Sequence, residues 1–459
     1  MNIDKFILSS KDGGQKLQQT NPGDYISPLP ENGKASADIE TDLNRTRQEI
    51  MGFGGAFTEA AALSLSKLNP RLREEALEAY FHPERGHGYS LGRVHIHSCD
   101  FALSNYTYVE EHDESLDSFD ISHDREHIIP MIRDAFRMAS KDLKLLASPW
   151  SPPGWMKTNG EMNNGGKLLP RYRDAWARYY VKFIRAYDQE EIPLWGISVQ
   201  NEPAAVQIWD SCIFSGEEER DFVRDHLGPC LRENGLKDIK LLIWDHNRDI
   251  MAERAEAVLS DPEAAQYVWG TGYHWYVSEE FSNLSRVHDA FPDKHLLFTE
   301  GCQEGGCKIG EWFTGERYAR NMIGDFNNWC EGYIDWNLVL DETGGPNHVN
   351  NLCDAPIIAD TLNDRLIYNS SYYYIGHFSR FVPPGSKALE LSRKATGAAS
   401  HAGEEDRILW AAFLRPDGSI AAVAMNEGDD GQSSTLRIGA QGFELRLPAH
   451  SIATIILKA

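Results

Sequence analysis

A chain of 459 residues has room for one large domain and a smaller one, because single hydrophobic cores stop growing at roughly 250 to 300 residues. Its 45 basic and 69 acidic residues leave a formal charge of -24, a field that repels phosphate backbones and anionic membranes and argues against nucleic acid as a partner. Hydrophobic residues make up 41%, as in a globular protein, and no stretch approaches the roughly 20 apolar residues of a transmembrane span.

The first residues, MNIDKFILSSKDGG, lack the apolar core of a secretion signal, which predicts a cytoplasmic protein or one exported by a non-classical route. The next thirty or so have no helical period and are expected to add strands to a β-module elsewhere. From residue 50 to 341, short apolar runs alternate with longer amphipathic stretches, the pattern of repeated strand-helix units. Eight strands are predicted, at 50–57, 89–98, 143–151, 194–203, 239–247, 268–276, 294–302 and 332–341, and eight parallel strands close a barrel.

The intervals supply helices. Over 124–139, Ile128, Ile132, Ala135, Phe136 and Ala139 share one face, with Pro130 in the first turns where proline is tolerated. Over 170–187, Trp176, Tyr180, Phe183 and Tyr187 form a core-facing stripe. Beyond residue 380 the texture changes to alternating strands, with a Pro-Asp-Gly turn at 416–418. The expected organisation is N-terminal strands over 1–45, a (β/α)8 barrel over 46–379 and a β-sandwich over 380–459.

Active sites of such barrels sit at the carboxyl ends of the strands. Reading those ends in order gives Asp100 after the second strand, Trp150 on the third, Asn201 and Glu202 on the fourth, His274 and Tyr276 on the sixth, Glu300 on the seventh, and Trp336 with Asn337 on the eighth. Two carboxylates among Trp, Tyr and Asn make a poor metal site but a good sugar site, since aromatic faces stack on sugar C–H faces and glycoside hydrolysis needs a carboxylate pair. Glu202 beside Asn201 reads as the general acid and later the general base; Glu300 reads as the nucleophile, held as an anion by Arg93, His274 and Tyr276. Asp245 and His246 also end a strand, but are given only subsite shaping or hydrogen bonding.

Other patterns carry less. GFGGAF, 52–57, lacks the Lys-Ser/Thr of a phosphate loop, and its glycines point to tight packing. His95 and His97 share a strand face that could ligate zinc, without a third ligand nearby. Seven cysteines at irregular spacing argue against a disulfide framework, and Cys302 and Cys307 read as two small semi-buried thiols. Trp209, Phe214, Trp312 and Phe313 are placed as either an apolar rim or loop packing.

The segments GFGGAFTEAAA, SCDFALSNYTY, LLASPWSPPGWMKTNG, NEP, HWY, DWNLVLDETGGPN and GHFSRFVPPGS carry a resemblance through nearly the whole chain to glycoside hydrolase family 30. The resemblance is to its glucosylceramidase branch, and there to the enterobacterial effector-like members. It implies a (β/α)8 barrel with a side β-sandwich built from both termini, Glu202 as acid/base and Glu300 as nucleophile. It also implies that Asp100 and Trp150 bind the 3- and 4-hydroxyls of the terminal sugar and Asn201 its 2-hydroxyl. Trp336, Tyr276 and Asn351 complete the substrate-binding set, and Arg93 and His274 support it. Gly301 departs from the eukaryotic members, which have Ala after the Glu.

The function so implied is a retaining β-glycosidase acting on a terminal β-glucosyl residue, of glucosylceramide or a related β-glucoside, with no cofactor and no metal. The alternatives are β-1,6-glucanase, β-xylosidase, or a carbohydrate-binding or host-interacting protein without catalysis. The sequence leaves the aglycone, exo or endo action and the oligomeric state open.

Overall fold

The computed structural model describes residues 2–29, 37–139, 143–393 and 408–458. The parts of the predicted domains that fall on other residues lie outside the described ones. The chain forms two compact units, Phe53–Cys307 with Gly332–Ile367, and Met1–Gly52 with Lys308–Glu331 and Tyr368–Ala459.

The larger unit holds a closed parallel barrel of β1 Gly52–Phe57, β2 Leu91–Ile96, β3 Lys144–Pro149, β4 Leu194–Ser198, β5 Lys240–Asn247, β6 Val268–His274, β7 His295–Glu300 and β8 Gly332–Asn337. All eight stand where the apolar runs predict. These strands are buried along almost their whole length, which is why they read as apolar runs rather than alternating ones. The glycines of β1 serve packing: a Cβ on Gly54 would fall 2.0 Å from the Leu91 carbonyl oxygen, and one on Gly55 2.7 Å from Leu338 Cδ2.

Two register shifts at the barrel mouth aim side chains inward. Between β5 and β6, Trp244 pairs with Gly272 and His246 with Tyr273, so Asp245 is an extra residue, and both Trp244 and Asp245 have positive φ. Between β6 and β7, Tyr273 pairs with Phe298 and His274 with Glu300, so Thr299 is extra. Such bulges bend a strand and re-aim its side chains at barrel rims. Strand β4 stops at Ser198, short of the predicted 203. Asn201 and Glu202 lie just beyond it, tied back by Asn201 N–H to the Pro149 carbonyl (2.8 Å) and Glu202 N–H to the Asp245 carbonyl (3.0 Å).

The predicted helix over 124–139 is two helices, Ser122–Glu126 and Ile128–Met138. They break at His127, whose φ of -135° is non-helical, and Pro130 sits in the first turn of the second. The helix Arg173–Gln189 buries Trp176, Tyr180, Phe183 and Tyr187 as expected.

The smaller unit is a sandwich of a seven-stranded and a five-stranded sheet. The N-terminal strand Asn2–Ser10 pairs antiparallel with the C-terminal strand Ser451–Lys458, bringing both chain ends together as the sequence suggests. Phe6, Leu8, Trp410, Ala422, Leu436, Leu445 and Ile455 meet in its core. The helices Phe313–Phe326 and Ser370–Ser379 pack within this unit, so its segments do not follow the linear boundaries at 46 and 380.

Candidate active site

At the carboxyl end of the barrel, a buried guanidinium organises the acids. Arg93 sits on β2 with no exposed surface. Its Nη1 donates to Glu300 Oε2 (2.5 Å), its Nη2 to Asn201 Oδ1 (2.8 Å) and Asp245 Oδ2 (2.8 Å), and its Nε to Ser148 Oγ (3.1 Å). Asp245 is the anchor beneath. It accepts further bonds from Ser148 and Ser198 on Oδ2 (3.0 and 2.5 Å) and from Thr299 on Oδ1 (2.6 Å), and it faces His274 Nε2 at 3.2 Å. Burial works against the Asp245 anion, but Arg93 and His274 outweigh it and hold its carboxyl far below the ordinary range.

His274 bridges the acids. Its Nδ1 lies 3.1 Å from Glu202 Oε1 and 3.9 Å from Glu300 Oε1. Burial disfavours its charge, yet Glu300, Asp245 and Glu202 overcome that and lift its pKa to about 9, so it is an imidazolium that donates from both nitrogens. The sequence assigned His274 to Glu300. The structure keeps that charge contact at 3.9 Å and adds a hydrogen bond from His274 to Glu202, while Glu300 also accepts from Arg93 and from the Tyr276 hydroxyl, the latter on Oε1 at 2.9 Å.

One carboxylate oxygen each of Glu202 and Glu300 and one His274 ring nitrogen all lie within 4.8 Å of one another. Glu202 reaches this position from a left-handed backbone, φ 49°, beyond the end of β4. Burial pushes Glu300 up, with the Glu202 charge adding to it, and His274 and Arg93 do not cancel the rise. Burial also acts on Glu202, but His246, His274 and Arg93 draw it below its ordinary value.

The hydrogen bonds rank the pair the other way. Both Glu300 oxygens accept from fixed donors, and a proton on either would displace one. Glu202 accepts only from His274, on Oε1, among the described residues. Arg93 and His274 carry two positive charges against the three carboxylates of Asp245, Glu202 and Glu300, so one shared proton makes the buried cluster neutral. Because the pair titrates as a unit, we place that proton on Glu202, where it breaks no existing hydrogen bond. The same trio has metal-ligating atoms, but His274 presents a hydrogen rather than a lone pair and Arg93 already neutralises Glu300, so a metal ion would have to displace both.

Beside the acids lies an aromatic wall. Trp150 stacks on Trp336, centroids 5.2 Å apart, and Arg93 Cζ stands 4.9 and 5.6 Å from the two ring centres. Phe101, Cys99 and Cys302 pack with them, and Tyr276 and Trp209 border the cluster. Asp100 is buried next to this wall. Asn351 and Asn347 both donate to its Oδ2, at 3.0 and 3.3 Å, leaving Oδ1 for another donor. Burial and the charges of Glu300 and Asp210 push its carboxyl up to about 7 against the pull of the two amides.

The ten side chains singled out in the sequence thus converge on one mouth. Sequence reading missed Asp245 as the hub, along with Ser148, Ser198 and Thr299. The available signal was a charged residue closing an apolar strand, the same one that marked Glu300. His95 and His97 use their ring nitrogens on the Glu59 N–H, the His97 and Ser151 carbonyls and the Tyr179 hydroxyl. Phe214 is buried against Phe222, Trp209 is half-buried, and Trp312 donates to the Tyr374 hydroxyl, so among the candidate rim aromatics only Phe313 is largely exposed.

The glycosyl hydrolase family 30 TIM-barrel domain matches residues 50–382, and the family 30 β-sandwich domain matches 394–455. The chain belongs to glycoside hydrolase family 30. This family 30 glycosidase is 36% identical to the lysosomal acid glucosylceramidase of Mus musculus over 430 residues, covering 90% of this chain and 81% of that protein. It is 34% identical to putative glucosylceramidase 4 of Caenorhabditis elegans over 94% of this chain and 86% of the relative. Among solved structures, SrfJ from Salmonella typhimurium superposes with a TM-score of 0.91 at 35% identity, over 99% of both chains. An endo-β1,6-glucanase gives 0.84 at 28% identity, also over 99% of both.

Proposed function

We propose that this family 30 enzyme is a retaining β-glucosidase that removes a terminal β-glucosyl residue from glucosylceramide or a related β-glucoside with an apolar aglycone. The observation that carries the mechanism is the placement of the Glu202 and Glu300 oxygens within 4.8 Å of one another. Inverting enzymes hold their carboxyls roughly 6.5 to 9.5 Å apart to admit a water, and retaining ones about 5 to 5.5 Å.

Glu300, an anion held by Arg93 and Tyr276, attacks the anomeric carbon while Glu202 gives its proton to the leaving oxygen. A glycosyl ester forms on Glu300, and the alcohol departs. Esterification removes the Glu300 charge, and the imidazolium of His274 then faces Glu202 alone, so the Glu202 carboxyl falls and it becomes a base. Glu202 takes a proton from water, the water oxygen attacks the same carbon, and the ester opens with overall retention. Asn201, oriented by Arg93, offers its amide to the 2-hydroxyl, and Asp100 Oδ1 accepts from the hydroxyls at the far edge of the ring.

A second observation favours an apolar aglycone. Val206 and Ile208 follow Glu202 in the loop after β4, and Val277 follows Tyr276 after β6; they are 62%, 64% and 64% exposed. Leu103 and Ile250, in the loops after β2 and β5, are also exposed. Apolar side chains standing in water around a polar pocket suit a hydrocarbon chain better than a glucan. The identities of 26 to 28% to endo-1,6-β-glucanases keep that polymer as the second substrate to assay. The test is glucose release from glucosylceramide in mixed detergent micelles, with Glu300→Gln as blank. Glucose release that depends on Glu300 upholds the proposal; release from β-1,6-glucan alone overturns the substrate and keeps the mechanism.

A further inference from the structure

Asp210 and His348 form a cluster that the chemistry above does not use. Asp210 stands in the loop after β4, is 1% exposed, and accepts from Ser98 Oγ on Oδ1 at 2.7 Å. Its Oδ2 is buried without a hydrogen-bond partner among the described residues. Facing it at 4.0 Å is His348 Nε2, from the loop after β8, also buried without a hydrogen-bond partner among the described residues.

The tautomer of His348 follows from its other contact. Nδ1 lies 3.0 Å from the Ala102 carbonyl, an acceptor, so Nδ1 carries a hydrogen. In the neutral ring Nε2 is then an acceptor, and it confronts the acceptor Oδ2. Two lone pairs left facing each other in a buried site are costly. A gap of 4.0 Å fits one water donating to both atoms.

The pair touches the sugar subsite from both sides. Ser98, which holds Asp210, is two residues from Asp100, and the His348 N–H reaches the Asp100 carbonyl at 3.4 Å. His348 also lies between Asn347 and Asn351, the two amides on Asp100 Oδ2. The loop after β4 carries Glu202 as well.

We propose that Asp210 and His348 are a positioning pair that ties the loops after β2, β4 and β8 together around Asp100 and Asn351 and so sets the affinity of the terminal-sugar subsite. The inference rests on the glucosidase reading for the nature of the ligand. Removing either partner loosens Asp100 and leaves the reacting carboxylates in place.

The test is steady-state kinetics on 4-nitrophenyl β-D-glucopyranoside with Asp210→Ala, His348→Ala, the double variant and Asp210→Asn. The expected result is a KM about tenfold higher in each alanine variant, with kcat within about twofold, and no further loss in the double variant. Asp210→Asn, whose amide can donate to Nε2, restores KM to within about twofold of wild type. Unchanged KM in both alanine variants, a fall in kcat instead, or Asp210→Asn as impaired as Asp210→Ala would each overturn the pairing. Failure of the wild-type protein to cleave the glucoside would count against the glucosidase reading instead. Crystal structures of wild type and Asp210→Ala then decide without a substrate. The Asn351 to Asp100 contact kept in wild type and lost in the variant upholds the pair; the same contact in both refutes it.

Discussion

At the scale of single residues, the site divides labour by what each side chain is bonded to. Glu300→Gln keeps the shape and removes the proposed nucleophile, so turnover is expected to fall by at least about a thousandfold while the far-ultraviolet circular dichroism and melting temperature stay those of the native fold. Glu202→Gln removes the proposed proton donor. Its cost should be about a hundredfold or more on alkyl glucosides and much less on 2,4-dinitrophenyl glucoside, whose leaving group needs no proton. A comparison of the two substrates distinguishes an acid from a nucleophile, because loss of the nucleophile hits both equally. His274 supplies a pH dependence. Its pKa is raised to about 9, so the stabilisation from its charge is complete below the ordinary value near 6.5 and is lost as pH rises through about 9. Thermal melts should therefore show a stability that declines between about pH 7 and 9, and His274→Gln should flatten that decline.

At the scale of elements, strand ends and bulges decide what the site can hold. The eight strands were legible in the sequence because parallel barrel strands are buried on both faces and read as unbroken apolar runs, and strands ending in Glu300 or Trp336 declared themselves by a polar or aromatic residue closing such a run. The hub Asp245 was legible as a charged residue closing an apolar run, but its place beneath Arg93 was not. Its role comes from an extra residue in β5 that turns the carboxylate inward beneath Arg93, and a register shift leaves no mark in a one-dimensional pattern. The hydrogen bond from His274 to Glu202, beside its charge contact with Glu300, was missed for a similar reason, since the two distances differ by less than 1 Å. Gly301 illustrates a different lesson. A Cβ there would lie 2.6 Å from Phe298 Cζ and 2.8 Å from Trp275 Cε2, two rings fixed in the core. Gly301→Ala should therefore destabilise the protein by about 1 to 3 kcal/mol in urea melts and lower kcat, by pushing on the strand that presents Glu300.

At the scale of the whole molecule, the barrel supplies the chemistry, and the sandwich unit closes on itself by pairing the two chain ends. Phe6 and Leu8 on the N-terminal strand have no exposed surface, and the strand covers the edge of Ser451–Lys458. Deleting residues 1–10 should expose that edge and its apolar face, giving a protein that aggregates on expression; a soluble, monodisperse product on gel filtration would contradict this. The sequence suggested that the N-terminal segment joins this module but not its register, because its partner lies at the far end of the chain. The proposed double displacement depends on a covalent bond to one carboxylate. The most direct test is to incubate the protein with 2,4-dinitrophenyl 2-deoxy-2-fluoro-β-D-glucoside, digest it and map the label by mass spectrometry. A single fluoroglucosyl group on the peptide at Glu300, slowly lost on standing, is the predicted result; a label on Glu202, or no label on an enzyme that turns over β-glucosides, would contradict the double-displacement account.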